Sequence, residues 1–137
     1  MTDPDLLAKK LAFMETCVQD LRTLAVPERI ATDIKERRFV EHTLQIAIQA
    51  ALDVSSHIVS DERLGEPRTN RELFTALARA GWIDASLAAS MEAAAGFRNV
   101  VVHGYSDVDL PILRDIVEHH LGDLLAFADA IRLRLPG

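Results

Sequence analysis

A chain of 137 residues with 49% hydrophobic and 26% charged side chains has the size and composition of one globular domain, which we expect to span residues 1–137. No apolar stretch approaches the roughly 20 residues of a membrane span, the N-terminus lacks the apolar core of a signal peptide, and a single cysteine excludes an internal disulfide. The net charge of −6 opposes broad binding to nucleic acid, although it leaves room for a local basic cleft. We therefore expect a cytoplasmic protein without a DNA or membrane partner.

Four or five helices are predicted to account for nearly the whole chain, because alanine and leucine dominate and aromatic residues make up only 5%. The first helix runs from about Asp5 to Ala25, where apolar residues recur at steps of three and four, and Pro27 ends it. The second helix is long, from about Asp33 to Val59. Glycine, proline and charged residues then predict a loop of about ten residues over 61–70.

The third and fourth helices are delimited by capping residues. Thr69 or Asn70 is suited to cap a third helix from Arg71 to about Ala80, and Gly81 is a typical residue for ending it. A fourth helix begins at Asp84 and carries the alanine-rich apolar segment that follows.

The last helix is predicted as one long element. Asp107 or Asp109 caps it, Pro111 falls in its first turn, and its apolar pattern continues to about Leu135. The run Val100–Val102 favours a strand, but three residues without an alternating partner cannot found a sheet. The sequence therefore predicts an all-α fold, an antiparallel up-and-down bundle of four to five helices.

The second helix has a wider apolar surface than one neighbour in a bundle requires. It carries two apolar stripes, Val40-Leu44-Ala47 and Ile46-Ala50-Val54. Because a helix of a monomeric bundle needs only one such stripe, the second stripe predicts a homodimer.

The segment 97–105, Phe-Arg-Asn-Val-Val-Val-His-Gly-Tyr, concentrates polar chemistry inside an apolar run. Arg98 offers a planar, permanently charged fork suited to phosphate, His103 is of the type that moves protons near neutral pH, and Tyr105 adds a hydroxyl that can be modified. Positions five apart are separated by about 140° around an ideal helix, so Arg98 and His103 converge only if the helix tightens or ends near Val102. The glycine after the histidine favours such an end. We therefore expect the rim of a cleft here, with chemistry at a phosphodiester.

Each of these residues also has an ordinary structural explanation. An arginine near a helix C-terminus interacts favourably with the helix dipole, a histidine before a glycine caps the last carbonyls, and a loop tyrosine fills a partly wet gap. Asp53 and His57 lie four apart on one helix face and form either a supporting polar shell near the cleft or an ordinary helix pair. Trp82 is expected in the core rather than as a platform for stacked bases.

The sequence does not indicate metal or cofactor chemistry. His119 and His120 are adjacent and hence about 100° apart on a helix, which makes them a poor chelating pair. Arg37 and Arg38, near Glu41, are expected to form solvated helix pairs, with a role along a substrate approach as the alternative. No Ser-His-Asp arrangement, Walker-type loop or dinucleotide fingerprint appears. We therefore predict neither a metal nor a cofactor.

Residues 96–105 resemble the signature of HEPN-domain proteins, Arg-x4-His, and more narrowly that of the HepT toxins, in which the pattern extends to Arg-x4-His-x-Tyr. The resemblance continues through the segment from Arg38 to Val59, the turn at Gly81-Trp82-Ile83 and the final helix. It therefore covers nearly the whole chain, with no departure at the motif positions.

The resemblance implies a metal-independent ribonuclease toxin that is paired with an antitoxin. Arg98 and His103 would be its catalytic residues, acting on RNA, and Asn99 would orient His103 or contact phosphate. A homodimer would bring two such sets into one cleft. The antitoxin would be a MntA-type minimal nucleotidyltransferase that transfers AMP to Tyr105, and a higher assembly of the dimer with it is left open.

One interpretation from a different class also stays open. The chain would be a non-catalytic helical binding module that partners a minimal nucleotidyltransferase and presents Tyr105 or a helical face to it. Arg98 and His103 would then serve docking or receive a nucleotide. The acidic charge balance favours this alternative, whereas the intact Arg-x4-His set favours the ribonuclease.

Overall fold

The computed structural model describes residues 3–103 and 109–135, with the side chains of 3–98 and 109–135. Within these ranges the chain forms helices, one 3₁₀ turn over Pro27–Arg29, and no strand. The helices are α1 (Pro4–Leu24), α2 (Ile34–Asp61), α3 (Asn70–Arg79), α4 (Ala85–His103), α5 (Leu110–His119) and α6 (Leu121–Arg134). The all-α class predicted from the sequence is confirmed. None of the described helices is both long and apolar enough to cross a lipid bilayer.

The bundle is organised around the α1–α2 pair. α3 and α4 form a second hairpin, in which α4 packs against α2, and α6 packs against α1. The α3 and α6 sides of the core meet at Phe74 and Phe127, two fully buried rings arranged edge to face with 5.8 Å between their centroids. The helix that carries Arg98, α4, is thus packed on α2, α3 and α6.

Local capping explains where the helices begin. Asp3 accepts hydrogen bonds from the backbone N–H groups of the first turn of α1, and Asp33 does the same for α2. Thr69 and Glu72 form a complete capping box at α3, so the cap is Thr69 rather than Asn70. Asp109 accepts from the N–H of Ile112 and caps α5. The alternative cap, Asp107, lies outside the described residues.

Gly81 ends α3, as the sequence predicts. Its φ is +82°, and its N–H donates to the carbonyl of Ala78 at 3.1 Å while the N–H of Trp82 donates to Leu77 at 2.9 Å. This pair of hydrogen bonds forms a Schellman motif. The motif requires a residue in the left-handed conformation, which glycine adopts without steric cost. Trp82 is buried, as expected, and the guanidinium of Arg134 lies 4.5 Å from the centroid of its ring.

The prediction of a single last helix is wrong, because the chain breaks at His120 into α5 and α6. His120 has φ −121° and ψ 3°, outside the helical range. The Asp115 carboxylate forms hydrogen bonds with both His119 Nδ1, at 2.9 Å, and His120 Nε2, at 3.1 Å. Two adjacent residues of a continuous helix point about 100° apart and do not meet at one carboxylate. The break lets α5 pack on the 3₁₀ turn while α6 packs on α1.

The width of the α2 apolar surface has an explanation inside the chain. The first stripe is fully buried, and in the second stripe Ala50 and Val54 are buried while Ile46 is half-buried. Ala50 lines a shallow cavity together with Leu6 and Phe13 of α1. The second stripe is therefore largely covered by α1, so it is not evidence for a homodimer, which stays a prediction on other grounds.

Candidate active site

α4 carries both positions that the sequence singles out. Its backbone is helical from Ala85 to His103, so positions 98 and 103 lie about 140° apart around its axis and about 7.5 Å apart along it. No tightening of the helix before residue 103 brings them to one face. The side chains of Asn99 and His103 lie outside the described residues, as do Gly104 and Tyr105 altogether.

Arg98 is half-buried and lines a cleft of about 820 Å³, which we call the Arg98 cleft. Ser56 and Ser60, on the last turns of α2, form one wall. Arg68 and Asn70, where the α2–α3 loop enters α3, form another. Two arginines, an asparagine and three hydroxyl residues, of which Thr69 is engaged in the α3 cap, therefore border a single opening, which is the chemistry of a site for phosphate and sugar oxygens.

The α2–α3 loop that borders the cleft has its backbone held by hydrogen bonds at both ends. At its start Arg63 adopts a left-handed conformation, with φ +55°, and its N–H donates to the Ser60 carbonyl at 3.3 Å. The next N–H, of Leu64, donates to Val59 at 2.9 Å, which completes a second Schellman motif. At its end the Glu72 carboxylate accepts from the backbone N–H groups of Arg68 and Thr69. The loop therefore presents its residues from a defined backbone.

A contact between α3 and α4 lies close to Arg98 along the chain. Arg71 Nε donates to the carbonyl of Glu92 at 3.2 Å, and the Thr75 hydroxyl donates to the Glu92 carboxylate at 2.7 Å. The Arg71 guanidinium passes over Gly96, where a Cβ would lie only 3.2 Å from Nη2. The glycine two residues before Arg98 thus permits the arginine of α3 to cross α4. Neither this contact nor Arg68 is evident from the sequence pattern, although a glycine in the middle of a helix is a signal for a close approach.

Asp53 and His57 are not joined to each other. The Asp53 carboxylate accepts from Lys10 Nζ at 3.2 Å and from Gln49 Nε2 at 2.9 Å, and so ties α2 to α1. His57 is exposed beside Ser56 on α2. Of the two, His57 is nearer in sequence to the serines of the Arg98 cleft. The supporting role assigned to both residues stays a prediction.

A second cavity, of about 760 Å³, lies between α4 and the α5–α6 pair. Its lining includes apolar residues such as Ile48 and Met91, with Asp115 and His120 among its polar members. The hydrogen bond with His119 lowers the pKa of Asp115 and so favours its charged form. A largely apolar lining with three carboxylates, of Asp109, Asp115 and Asp123, and a single arginine, Arg71, suits a phosphate polymer less well than the Arg98 cleft. Within the ranges that the structure describes, no group of three or more His, Cys, Asp or Glu side chains is arranged to hold a metal ion.

Comparison with known proteins points to one family. The family model described as Ribonuclease HepT-like matches residues 14–131. The mRNA nuclease HepT of Shewanella oneidensis is 30% identical over 129 residues, which cover 93% of this chain and 97% of that protein. The tRNA nuclease HepT of Aphanizomenon flos-aquae is 33% identical over 78 residues, 57% of this chain and 53% of that protein.

A solved structure is similar over almost the entire chain. It is that of a tri-AMPylated HEPN toxin from Shewanella oneidensis in complex with an MNT antitoxin. Its TM-score is 0.88 at 29% sequence identity, and the match covers 98% of this chain and 100% of that one. Fold and sequence therefore indicate the same relatives.

Proposed function

The chain belongs to the ribonuclease HepT-like family and is an endoribonuclease, and on that premise we propose that it is the toxin of a toxin–antitoxin pair, with Arg98 and His103 as its catalytic residues. The observation that carries the proposal is the position of Arg98 in a polar cleft, within an Arg-x4-His-x-Tyr register. The chemistry proposed for these residues needs no metal ion or cofactor.

RNA supplies its own nucleophile in the 2′-hydroxyl group. In the proposed reaction a neutral His103 removes the proton of that hydroxyl, the 2′-oxygen attacks the adjacent phosphorus, and the bond from phosphorus to the 5′-oxygen breaks. Arg98 stabilises the negative charge that builds on the phosphorane, and Asn99 orients His103 or contacts phosphate. A second His103 protonates the departing 5′-oxygen. The products are a 2′,3′-cyclic phosphate and a 5′-hydroxyl.

The second histidine comes from a dimer mate. Positions 98 and 103 lie about 140° apart on a continuous helix, so they do not share one face of α4 in a single chain. A two-fold axis beside α4 would bring positions 98 and 103 of one chain next to those of the other. Co-expression of wild type with an Arg98→Ala/His103→Ala chain tests this. In a composite site, activity falls with the square of the wild-type fraction, and independent sites would give a linear fall. Light scattering on the purified protein measures the dimer directly.

Regulation is proposed to act on Tyr105, the single tyrosine of the chain. A minimal nucleotidyltransferase of the MntA type, as antitoxin, would transfer AMP to its hydroxyl. The similar structure of a tri-AMPylated toxin bound to an MNT antitoxin supports this mode of control. Added phosphate close to Arg98 along the chain would pair with a guanidinium and fill the RNA cleft. Mass spectrometry of protein co-expressed with its antitoxin is expected to find AMP on Tyr105, and an unmodified tyrosine would contradict the proposal.

Growth arrest and RNA cleavage on induction of the chain alone test the catalytic assignment. We expect the wild type to arrest growth and cleave RNA, and Arg98→Ala and His103→Ala to lose both effects. Arg79→Ala is the matched control, because Arg79 is exposed at the far end of α3, outside the lining of the Arg98 cleft. Full cleavage by His103→Ala would refute the mechanism. The supporting role of Asp53 and His57 predicts a smaller loss for their alanine variants.

The alternative interpretation of the sequence, a non-catalytic module that binds a nucleotidyltransferase, rests on the net charge of −6 alone, and the nuclease relatives stand against it. It predicts soluble protein that neither arrests growth nor cleaves RNA, yet still forms a complex with the antitoxin. Relatives are named for both mRNA and tRNA, so the cleavage assay should profile both classes of RNA.

A further inference from the structure

The Arg98 cleft is larger than one phosphate group requires. Its volume of about 820 Å³ lies within the roughly 300–1,000 Å³ typical of ligand sites. Arg98 comes from α4, while the rest of the lining comes from the end of α2, from the loop that enters α3 and from the first turn of α3. The reaction proposed above uses Arg98 alone among these residues, so the function of the remaining wall is still to be assigned.

Arg68 is the second cation of this cleft. Its side chain is exposed, and within the described part of the chain its guanidinium forms no salt bridge with a carboxylate. Its backbone N–H is bound by the Glu72 carboxylate of the α3 capping box, so the base of the side chain is fixed. An arginine with a fixed backbone and an uncommitted fork is well suited to a phosphate oxygen pair.

The opposite wall supplies neutral hydrogen-bonding groups. Ser56 and Ser60 lie one helical turn apart on the same exposed face of α2, and both line the cleft. Their hydroxyls can donate to phosphate oxygens or accept from a ribose hydroxyl. Buried Val59 and Leu73 add an apolar surface between these polar walls. Such a wall is suited to a sugar–phosphate backbone and carries little information about base identity.

We propose that Arg68, together with Ser56 and Ser60, forms a second phosphate subsite, which holds a backbone phosphate flanking the scissile phosphate at Arg98. The inference rests on the proposed ribonuclease function, because it states how that site holds its RNA. Arg68 is a positioning residue, which binds the substrate without touching the reacting atoms. The subsite gives a protein of net charge −6 two arginines along one path of the substrate.

Binding is measured without cleavage by fluorescence anisotropy with a short 2′-O-methyl RNA, which keeps the phosphates and lacks the nucleophile. We expect Arg68→Ala to raise Kd about tenfold, as for one lost charge-assisted hydrogen bond. We also expect it to reduce the slope of log Kd against log salt by about 0.7, the contribution of one phosphate contact on a single strand. Arg68→Lys should restore the slope and only part of the affinity, because lysine lacks the fork.

Arg63→Ala is the matched control. Arg63 is exposed in the same loop, its replacement removes the same charge, and it does not line the Arg98 cleft. We expect its Kd and salt slope to stay within about twofold of wild type. Equal effects of Arg63→Ala and Arg68→Ala would reduce the subsite to general electrostatics and overturn the proposal. Circular dichroism and thermal melting verify that both variants are folded.

A cleavable RNA separates this inference from the ribonuclease assignment. Arg68→Ala should raise KM about tenfold with kcat nearly unchanged, whereas Arg98→Ala should abolish kcat. Cleavage that depends on Arg98 but is indifferent to Arg68 overturns the subsite and leaves the ribonuclease proposal standing. If binding depends on Arg68 but the wild type cleaves no RNA, the subsite stands and the ribonuclease proposal is overturned. A wild type that does not bind the 2′-O-methyl RNA overturns the subsite.

Discussion

Arg63 holds a backbone conformation that glycine tolerates better, and this gives a stability prediction in the loop beside the Arg98 cleft. With φ +55°, Arg63 is the left-handed residue of the Schellman motif that ends α2. A non-glycine residue in this left-handed region costs roughly 1–2 kcal/mol of stability, which glycine avoids. Glycine also makes the unfolded chain more disordered, and this offsets about 0.5–1 kcal/mol of the gain. We therefore expect Arg63→Gly to raise the free energy of unfolding by about 0.5–1 kcal/mol.

Urea denaturation at neutral pH measures this change, together with a rise in Tm of about 3 °C. Arg63→Ala removes the same side chain but keeps the Cβ, so its free energy of unfolding should stay within about 0.3 kcal/mol of wild type, and Arg63→Asn should fall between alanine and glycine. If alanine stabilises as much as glycine, the arginine charge rather than backbone strain sets the stability. A destabilised Arg63→Gly would refute the reasoning altogether.

Other predictions concern the bundle. Glu15→Gln breaks a bidentate pair with Arg132, whose two N–O distances are both 2.6 Å, and because the pair is partly exposed we expect a loss of about 0.5–1 kcal/mol at pH 7. The hydrogen bond from Arg132 lowers the pKa of Glu15 in the folded protein. The difference in unfolding free energy between Glu15→Gln and wild type is therefore complete above the ordinary pKa of 4.5, and it vanishes as pH falls through the lower pKa of the folded state. Urea titrations at several pH values measure it, and a difference that grows in acid would contradict the sign. Phe127→Ala removes a fully buried ring that meets Phe74, and should cost about 3–5 kcal/mol of unfolding free energy in the same assay; a loss below 1 kcal/mol would mean that the ring is not packed as described. Burial raises the pKa of the Cys17 thiol, so a thiol reagent should modify it only after denaturation, and rapid reaction of the native protein would be inconsistent with its position.

The helix starts could be predicted because their causes are local. The caps at Asp33, Asp84 and Asp109 each act on N–H groups two or three residues ahead, so the sequence around them contains the whole interaction. The end of α3 is equally local, because a glycine with positive φ is enough to complete the motif at Gly81.

The break at His120 could not be predicted in the same way. The apolar pattern of the sequence continues across the junction between α5 and α6. The hydrogen bonds of Asp115 with both histidines form only once the helix has ended at His120, so the sequence pattern does not reveal them. The cover of the second apolar stripe of α2 could not be predicted for a related reason. Two apolar stripes indicate that a wide surface is covered, but the pattern does not say whether the cover is α1 of the same chain or a second chain.

The residues of the candidate site also differ in whether the sequence pattern reveals them. Arg98 can be singled out from the sequence, because the motif places it among apolar residues at a recognisable spacing. Arg68 was not found, because a charged residue in a charged loop looks solvated until the loop is seen folding back toward α4. Arg71 was missed because its bond to the Glu92 carbonyl joins residues 21 apart.

The net charge of −6 is compatible with a cleft for RNA because of where the acidic residues are used. Many of them act on backbone or on basic partners away from the cleft: Asp3, Asp33, Asp84 and Asp109 cap helices, and Glu15 and Glu118 pair with arginines. A cap carboxylate is bound by N–H groups at short range, and at physiological salt its charge is screened beyond about 8 Å. Arg68 and Arg98 meanwhile share one opening. Affinity for a phosphate polymer depends on that local pair far more than on the sum over the chain, so the overall acidity does not favour a binding module over a nuclease.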